Sequence, residues 1–299
     1  MEIFKILGNT FCINTGMSYI PFYKVNDFEI VMLDSGWAEG ERDGIDELLN
    51  QSKLKVVGII NSHSHIDHAG CNQHYRKKDG AITAMSTLEA MICESTMAMK
   101  AFMGGNSLEE IQKHYGDIIG VTDIKISKDQ DSVIIANTIF KIVHTPGHSA
   151  AHIAIITPDN VIYVGDAMIS YEVMEGAKMP YAFVMLEYFK SMKMLATLPC
   201  QKFVVAHKGI YDKIGQLVED NIKFFMKRAE HIRELIITDM TQEEILNAVI
   251  QNFKIRIKSI HYQLVIEKMM ISFLDYLVST NQIEVCIKDG FIKYKVINV

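Results

Sequence analysis

No apolar run in this chain of 299 residues approaches the ~20 residues that a membrane-spanning helix requires. The opening MEIFKILGNT lacks the basic start, long apolar stretch and small-residue cleavage site of a secretory signal. A soluble, cytoplasmic protein is therefore expected. The five cysteines (Cys12, Cys71, Cys93, Cys200 and Cys286) are odd in number, far apart and never in a C-x-x-C pair. That excludes a disulfide framework and fits reduced thiols. There is no G-x-S-x-G elbow to present a nucleophilic serine, no internal repeat and no low-complexity tract. A surplus of basic charge is missing too. Net charge is -6, with 17 Lys+Arg against 24 Asp+Glu over residues 1–207 and 13 against 12 over 208–299. A strongly basic nucleic-acid surface is excluded overall, which leaves room only for a local patch in the tail.

What is present begins with ample material for a core, since 49% of the residues are hydrophobic. The length suggests one large domain or a domain with an appendix. Short β-rich runs at Ile3–Leu7, Thr10–Asn14 and Glu29–Leu33 are separated by turn signals. An amphipathic helix at Asp43–Gln51 precedes Val56–Asn61, an apolar strand of the kind buried on both faces. Ser86–Lys100 reads as one methionine-rich helix, with Ser86 and Glu89 spaced as a capping box, and Ser107 and Glu110 repeat that spacing. Strands are expected again at Ile124–Ile126, Ser132–Ile135, Thr138–Val143, Ile153–Ile156, Val161–Val164 and Lys202–Ala206, with a helix at Leu186–Ala196. Beyond His207 come helical patterns at Lys213–Ile237, Gln242–Asn252 and Ser259–Thr280. The runs Ile283–Ile287 and Phe291–Ile297, joined by the turn Lys288-Asp289-Gly290, close the chain as a hairpin. Strands, helices and strands again predict packed sheets with helices outside, rather than a doubly wound parallel sheet. Two helices followed by a hairpin give the last part a winged-helix outline.

The chemistry concentrates in Asn61-Ser62-His63-Ser64-His65-Ile66-Asp67-His68, at the end of the buried strand. Imidazole and carboxylate donors suit zinc and similar first-row metals. In extended backbone His63 and His65 project to one side and can reach one ion. Asp67 and His68 follow where the chain turns and can face a second. Clustered histidines are often only surface or core residues, but H-x-H-x-D-H at a strand end is a poor fit to chance.

The pattern resembles the signature of the metallo-β-lactamase fold superfamily, which includes glyoxalase-II-like thioesterases, lactonases and RNA-processing nucleases. Further pieces follow in the family's order: His148 in His144-Thr145-Pro146-Gly147-His148-Ser149, Asp166 in Val164-Gly165-Asp166, and His207 in Val204-Val205-Ala206-His207-Lys208-Gly209. Asp34, in Leu33-Asp34-Ser35-Gly36, matches an early acidic motif. The resemblance spans roughly residues 1–210 and implies an αββα sandwich there, with 211–299 as a helical, winged-helix-like appendix. It also implies two divalent ions, zinc by default with iron or manganese as alternatives. His63, His65 and His148 would bind the first, Asp67, His68 and His207 the second, and Asp166 would bridge. Paired ions ~3.5–4 Å apart stabilise a hydroxide that attacks carbon or phosphorus at neutral pH. Asp67 could orient the attacking water, and Asp34 is expected behind a ligand histidine rather than on a metal. Oxygen-reducing di-iron members carry glutamate where this chain has His65, which favours a hydrolase.

Other residues carry weaker expectations. Tyr171, Tyr181 and Phe183 lie in a segment read as irregular, where substrate contact and loop packing are equally expected. His144 and His152 are expected to pack near the site, and His74, His114, His231 and His261 to lie at surfaces or interfaces. The methionine-rich helix could overhang the cleft, although a core or dimer-contact role is the expectation. Lys254, Arg256 and Lys258 interleave with Ile255, Ile257 and Ile260, which describes either a phosphate-binding run or an amphipathic element on the core. The leading expectation is hydrolysis of a small ester, thioester or lactone. The alternatives are a phosphodiesterase or ribonuclease that binds RNA through its C-terminal module, and a nucleic-acid-binding regulator with a vestigial metal site. A homodimer is compatible with the apolar helices.

Overall fold

The computed structural model describes residues 1–297. The first sheet has seven strands lying side by side in chain order. They are β1 (Glu2–Leu7), β2 (Thr10–Asn14), β3 (Tyr19–Lys24), β4 (Glu29–Leu33), β5 (Lys55–Ile60), β6 (Ile82–Ser86) and β7 (Ile124–Ile126). β1 to β4 pair antiparallel, and β4 to β7 pair parallel. The parallel steps need crossovers. α1 (Arg42–Gln51) supplies the first, and α2 (Ile66–Ala69) with α3 (Asn72–Asp79) the second. The third holds α4 (Thr87–Cys93), α5 (Thr96–Met103) and α6 (Leu108–Tyr115). The second sheet has six strands, also in chain order. These are β8 (Ser132–Ile135), β9 (Thr138–His144), β10 (Ile153–Ile156), β11 (Val161–Gly165), β12 (Lys202–Val205) and β13 (Gly209–Tyr211). Only β11 and β12 are parallel, joined across α7 (Tyr171–Gly176) and α8 (Met185–Leu195).

The two-residue side-chain period sorts the strands into layers. Val31 and Leu33 of β4 point inward to meet Phe140, Ile155, Tyr163 and Val204 of the second sheet. Ile30 and Met32, one residue out of phase, face Ile45 and Leu49 of α1 and Tyr75 of α3. Beyond the second sheet, Ile162, Val164 and Phe203 pack against α8 and the helices that follow. The result is a four-layer αββα sandwich.

The C-terminal helices are α9 (Gly215–Glu234), α10 (Gln242–Asn252) and α11 (Ile260–Ser279), followed by the hairpin β14 (Ile283–Lys288) and β15 (Phe291–Val296). Their apolar faces belong to one continuous core with the outer face of the second sheet, from Ala154 to Ile283. Ile255 is buried in that core while Lys254, Arg256 and Lys258 face solvent. Among the described residues no helix is long and apolar enough to cross a membrane.

Three local expectations need correction. β3 was not anticipated because Pro21 interrupts it, and proline is usually confined to edge strands or bulges. β3 sits between β2 and β4, but its pairing with β4 covers only Phe22–Lys24, so Pro21 costs no ladder bond on that side. The expected helix Ser86–Lys100 is two helices, α4 and α5, because Ser95 caps a new start by accepting from the Ala98 N–H. The stretch after Ser170 is not wholly irregular: the Ser170 hydroxyl accepts from the Val173 N–H and caps α7.

Phe225 of α9 is fully buried, edge-on to Tyr188 of α8 at 5.3 Å and stacked on Phe273 of α11 at 6.1 Å. Phe225→Ala is expected to destabilise the whole chain by about 3–5 kcal/mol. A denaturant midpoint that falls in one transition checks both the size and the continuity of the core.

Candidate metal centre

Every residue of the cluster sits just past a strand end on the same rim of the sandwich. β4 ends at Leu33, and Asp34 follows with a left-handed φ of 64°, a conformation aspartate tolerates better than most residues. Its buried carboxylate takes four donors. The Ser62 N–H bonds Oδ1 at 2.7 Å, while the Ser62 hydroxyl, His68 Nδ1–H and Tyr163 hydroxyl each bond Oδ2 at 2.7 Å. Because Ser62 spends its proton on Asp34, its oxygen accepts from His63 Nδ1 at 3.0 Å. One carboxylate thus fixes the orientation of two histidines, and the Nε2 of each points into the cluster.

The other donors are held with similar economy. Asp166 follows Gly165, whose φ is +52°. A Cβ there would come within 2.7 Å of His152 Nε2 and 2.8 Å of Ser62 Cβ, so only glycine lets the strand end approach. The Asp166 N–H donates to His152 Nε2 at 3.2 Å, and the Tyr188 hydroxyl donates to its carbonyl at 2.9 Å. His152 therefore carries its proton on Nδ1, donated to Thr145 Oγ1 at 2.7 Å. Burial holds it neutral, its pKa pushed down to about 3. His148 follows Gly147, where a Cβ would meet the Tyr188 backbone nitrogen at 2.2 Å. His207 follows β12, and its carbonyl accepts from Ser170 Oγ at 2.6 Å.

These supports bring the side chains together in two groups. The donor atoms of His63, His65, His148 and Asp166 lie within 4.8 Å of one another, as do those of Asp67, His68 and His207. His65 Nδ1 is 3.1 Å from His148 Nε2. Asp166 touches both groups: its Oδ2 is 3.3 Å from His148 Nε2 and 3.4 Å from His68 Nε2, and its Oδ1 is 3.6 Å from His207 Nε2. Asp67 Oδ2 lies 3.5 Å from His68 Nε2 and 3.4 Å from His207 Nε2.

The donor set fits metal ions. His63 Nε2, His68 Nε2 and Asp166 Oδ1 are all buried without a hydrogen-bond partner, an expensive arrangement for a site that holds nothing. Charge separates the groups as well. Burial holds His63, His65 and His148 below the ordinary imidazole range. Asp166 pushes His207 up to about 10, and despite burial Asp166 and Asp67 hold His68 well above its usual value. A proton on each of these imidazoles marks where a cation is wanted.

Beside the cluster lies a cavity of about 470 Å³ that reaches Ser64, His65, Asp67, His148 and Asp166. Its walls are mainly apolar: Met99 and Phe102 of α5, Tyr115 of α6, and Val265 and Met269 of α11. The methionine-rich segment does overhang the site. His114 and His261, expected at surfaces, also line the cavity and stack at 3.9 Å. Tyr181 faces the cluster, with ring centroids 5.4 Å from His65 and 5.3 Å from His148. Tyr171 lies elsewhere, donating to Asp220 at 3.0 Å, and Phe183 packs near Phe102 at 6.2 Å instead of lining the cavity.

Two carboxylates depart from the capping boxes that their spacing suggests. Ser86 caps nothing with its side chain, and Glu89 turns inward to accept from Ser64 and Ser149. At the second anticipated box Ser107 does cap α6, but Glu110 turns to His114 instead of closing the box. The cue for Glu89 was an acidic residue on a face otherwise made of Ala90, Ile92 and Cys93, all buried.

Two outcomes follow. Metal uptake by the metal-free chain should release about two protons near neutral pH, from His68 and His207. The release should shrink above pH 10, where His207 has already lost its proton. Calorimetry in buffers of different ionisation enthalpy measures both. Gly165→Ala should displace Asp166 and lower metal affinity by at least an order of magnitude, a ~10-fold change being the low end for loss of ligand support. Competition with a chromophoric chelator reads it.

Known proteins place this geometry. The family model described as the metallo-beta-lactamase superfamily matches residues 24–207, the stretch that carries the cluster. A hydroxyacylglutathione hydrolase of Tolumonas auensis is 24% identical over 205 residues, covering 66% of this chain and 66% of that protein. One of Buchnera aphidicola is 24% identical over 206 residues, covering 67% of each. The chain thus spans about two thirds of the length of these relatives. A metallo-beta-lactamase family protein of Thermus thermophilus shares the fold at a TM-score of 0.69, with 16% identity and 94% of both chains covered. A beta-lactamase domain protein of Burkholderia ambifaria does so at 0.70, with 17% identity over 99% of this chain and 94% of its own. The chain belongs to the metallo-beta-lactamase superfamily of metal-dependent hydrolases.

Proposed function

We propose that this protein hydrolyses a small ester, thioester or lactone at a pair of divalent ions, zinc by default. The observation that carries the reading is the cavity: about 470 Å³, mainly apolar, and open to the cluster at one side. Such a space suits an acyl group of modest size, while an RNA strand needs an open basic groove with stacking platforms. The likeness to proteins named hydroxyacylglutathione hydrolases favours an acyl compound.

His63, His65 and His148 would hold one ion and Asp67, His68 and His207 the other, with Asp166 between them. When bound, such a pair supplies Lewis acidity and makes water nucleophilic at neutral pH. The protein's own groups set the rest. Asp67 is the more accessible of the two cluster carboxylates, with its side chain 36% exposed against 9% for Asp166, and it lines the cavity. Its Oδ1 and Oδ2 can orient water and accept a proton, and despite burial the neighbouring His68 and His207 keep it ionised, below the usual carboxylate range. Burial raises the Tyr181 hydroxyl, so it stays protonated as a donor to a substrate oxygen. The apolar walls exclude water from the acyl group. In this reading residues 1–210 carry the chemistry, and 211–299 contribute a wall through α11 rather than a nucleic-acid reader.

The test is turnover by the metal-loaded chain of esters, thioesters and lactones with apolar acyl groups, alongside phosphodiesters and single-stranded RNA. Carbonyl substrates should be hydrolysed, and either a chelator or His65→Ala should reduce the rate to background. Turnover of RNA with none of the carbonyl compounds would overturn the proposal.

A further inference from the structure

Glu89, on α4, is a carboxylate that the chemistry above does not use. It is 1% exposed and meets four donors, none of them a cation. Oε2 accepts from the Ser64 N–H and the Ser64 hydroxyl. Oε1 accepts from the Ser149 hydroxyl at 2.7 Å and the Ala151 N–H at 2.9 Å. Ser64 lies between His63 and His65, and Ser149 directly follows His148. The two segments are far apart in sequence and come from different sheets, and one carboxylate holds a backbone amide and a hydroxyl from each.

The arrangement complements that of Asp34. Asp34 bonds Ser62 and His68 and thereby reaches both groups of the cluster. Glu89 touches only segments that bear His63, His65 and His148. Nothing it bonds belongs to Asp67, His68 or His207. Only a two-oxygen acceptor satisfies all four donors, because an amide at this place would turn an N–H toward another N–H or hydroxyl. Ser64 and Ser149 are buried, so an acceptor lost there is not replaced by bulk water.

We propose that Glu89 is a positioning residue that sets the separation of the loops carrying His63/His65 and His148, and so governs ion capture at that three-histidine group alone. This rests on the reading of the cluster as a two-ion centre.

The experiment measures metal affinity, not turnover, in two backgrounds that each leave one group intact. With His207→Ala the three-histidine group is read alone; with His148→Ala the Asp67/His68/His207 group is read alone. Zinc is titrated against a chromophoric chelator, and cobalt is titrated with its ligand-field absorption as a second readout. Glu89→Gln is expected to weaken binding on the order of 10- to 100-fold in the first background, with a changed cobalt spectrum. In the second, affinity and spectrum should stay as they were. Equal losses in both backgrounds, or no loss in either, would overturn the inference. Should Glu89→Gln fail to fold, Ser149→Ala removes one donor and decides the matter, with a smaller loss expected in the first background only. Unmodified protein that binds no zinc would defeat the two-ion reading itself, and that result is distinct from zinc binding indifferent to Glu89.

Discussion

A carboxylate at the end of β4 accepts a hydrogen bond from the second sheet, two from the loop after β5, and one from the helix turn that follows. Asp34 is therefore the point where the two halves of the sandwich and the H-x-H-x-D-H segment are tied together. Burying a carboxylate is costly unless all its lone pairs are occupied, and here each donor is itself a structural part. If the sheets slid relative to each other, Tyr163 would leave Asp34. If the loop after β5 changed course, Ser62 would leave it and His63 would lose its orientation. The free energy that keeps this ion in the core is thus coupled to the placing of the cluster.

The ends of β4, β5, β9, β11 and β12 deliver the chemistry, and the chain turns away after each. Glycine at 165 and at 147 allows close approaches around the cluster, against His152 and Ser62 in one case and the start of α8 in the other. The neutral, buried His152 orients Asp166 through its backbone rather than its side chain. The carboxylate is thereby left free on both oxygens, and it lies beside donor atoms of both groups.

Much of this was legible in the sequence. The layered α/β fold followed from apolar runs of strand length with helical patterns between them, and the family from motifs at strand ends. What escaped has physical causes. β3 was hidden by Pro21, whose missing donor matters only where a neighbouring strand needs it. The break between α4 and α5 was hidden because helical periodicity runs through Glu94 and Ser95 unaltered, and only the serine cap marks a new start. Glu89 has the spacing of a cap residue, and spacing alone cannot tell a carboxylate that turns back on its helix from one that reaches across to another loop. The cavity was the least legible part. Its walls come from α5, α6, Tyr181 and α11, and no local pattern announces that segments so far apart will meet. Tyr171 and Phe183 were singled out by chain proximity to Asp166, but α7 carries Tyr171 toward Asp220 instead.

The order of parts along the chain has a consequence for synthesis. All seven residues of the cluster precede residue 208, whereas the wall at His261, Val265 and Met269 belongs to a helix made near the end. Chains emerge from the ribosome N-terminus first. A growing chain therefore holds all seven donors, and the walls from α5, α6 and Tyr181, before it gains the wall from α11. The cavity beside the cluster gains that side only with α11, one of the helices whose apolar faces build the outer core.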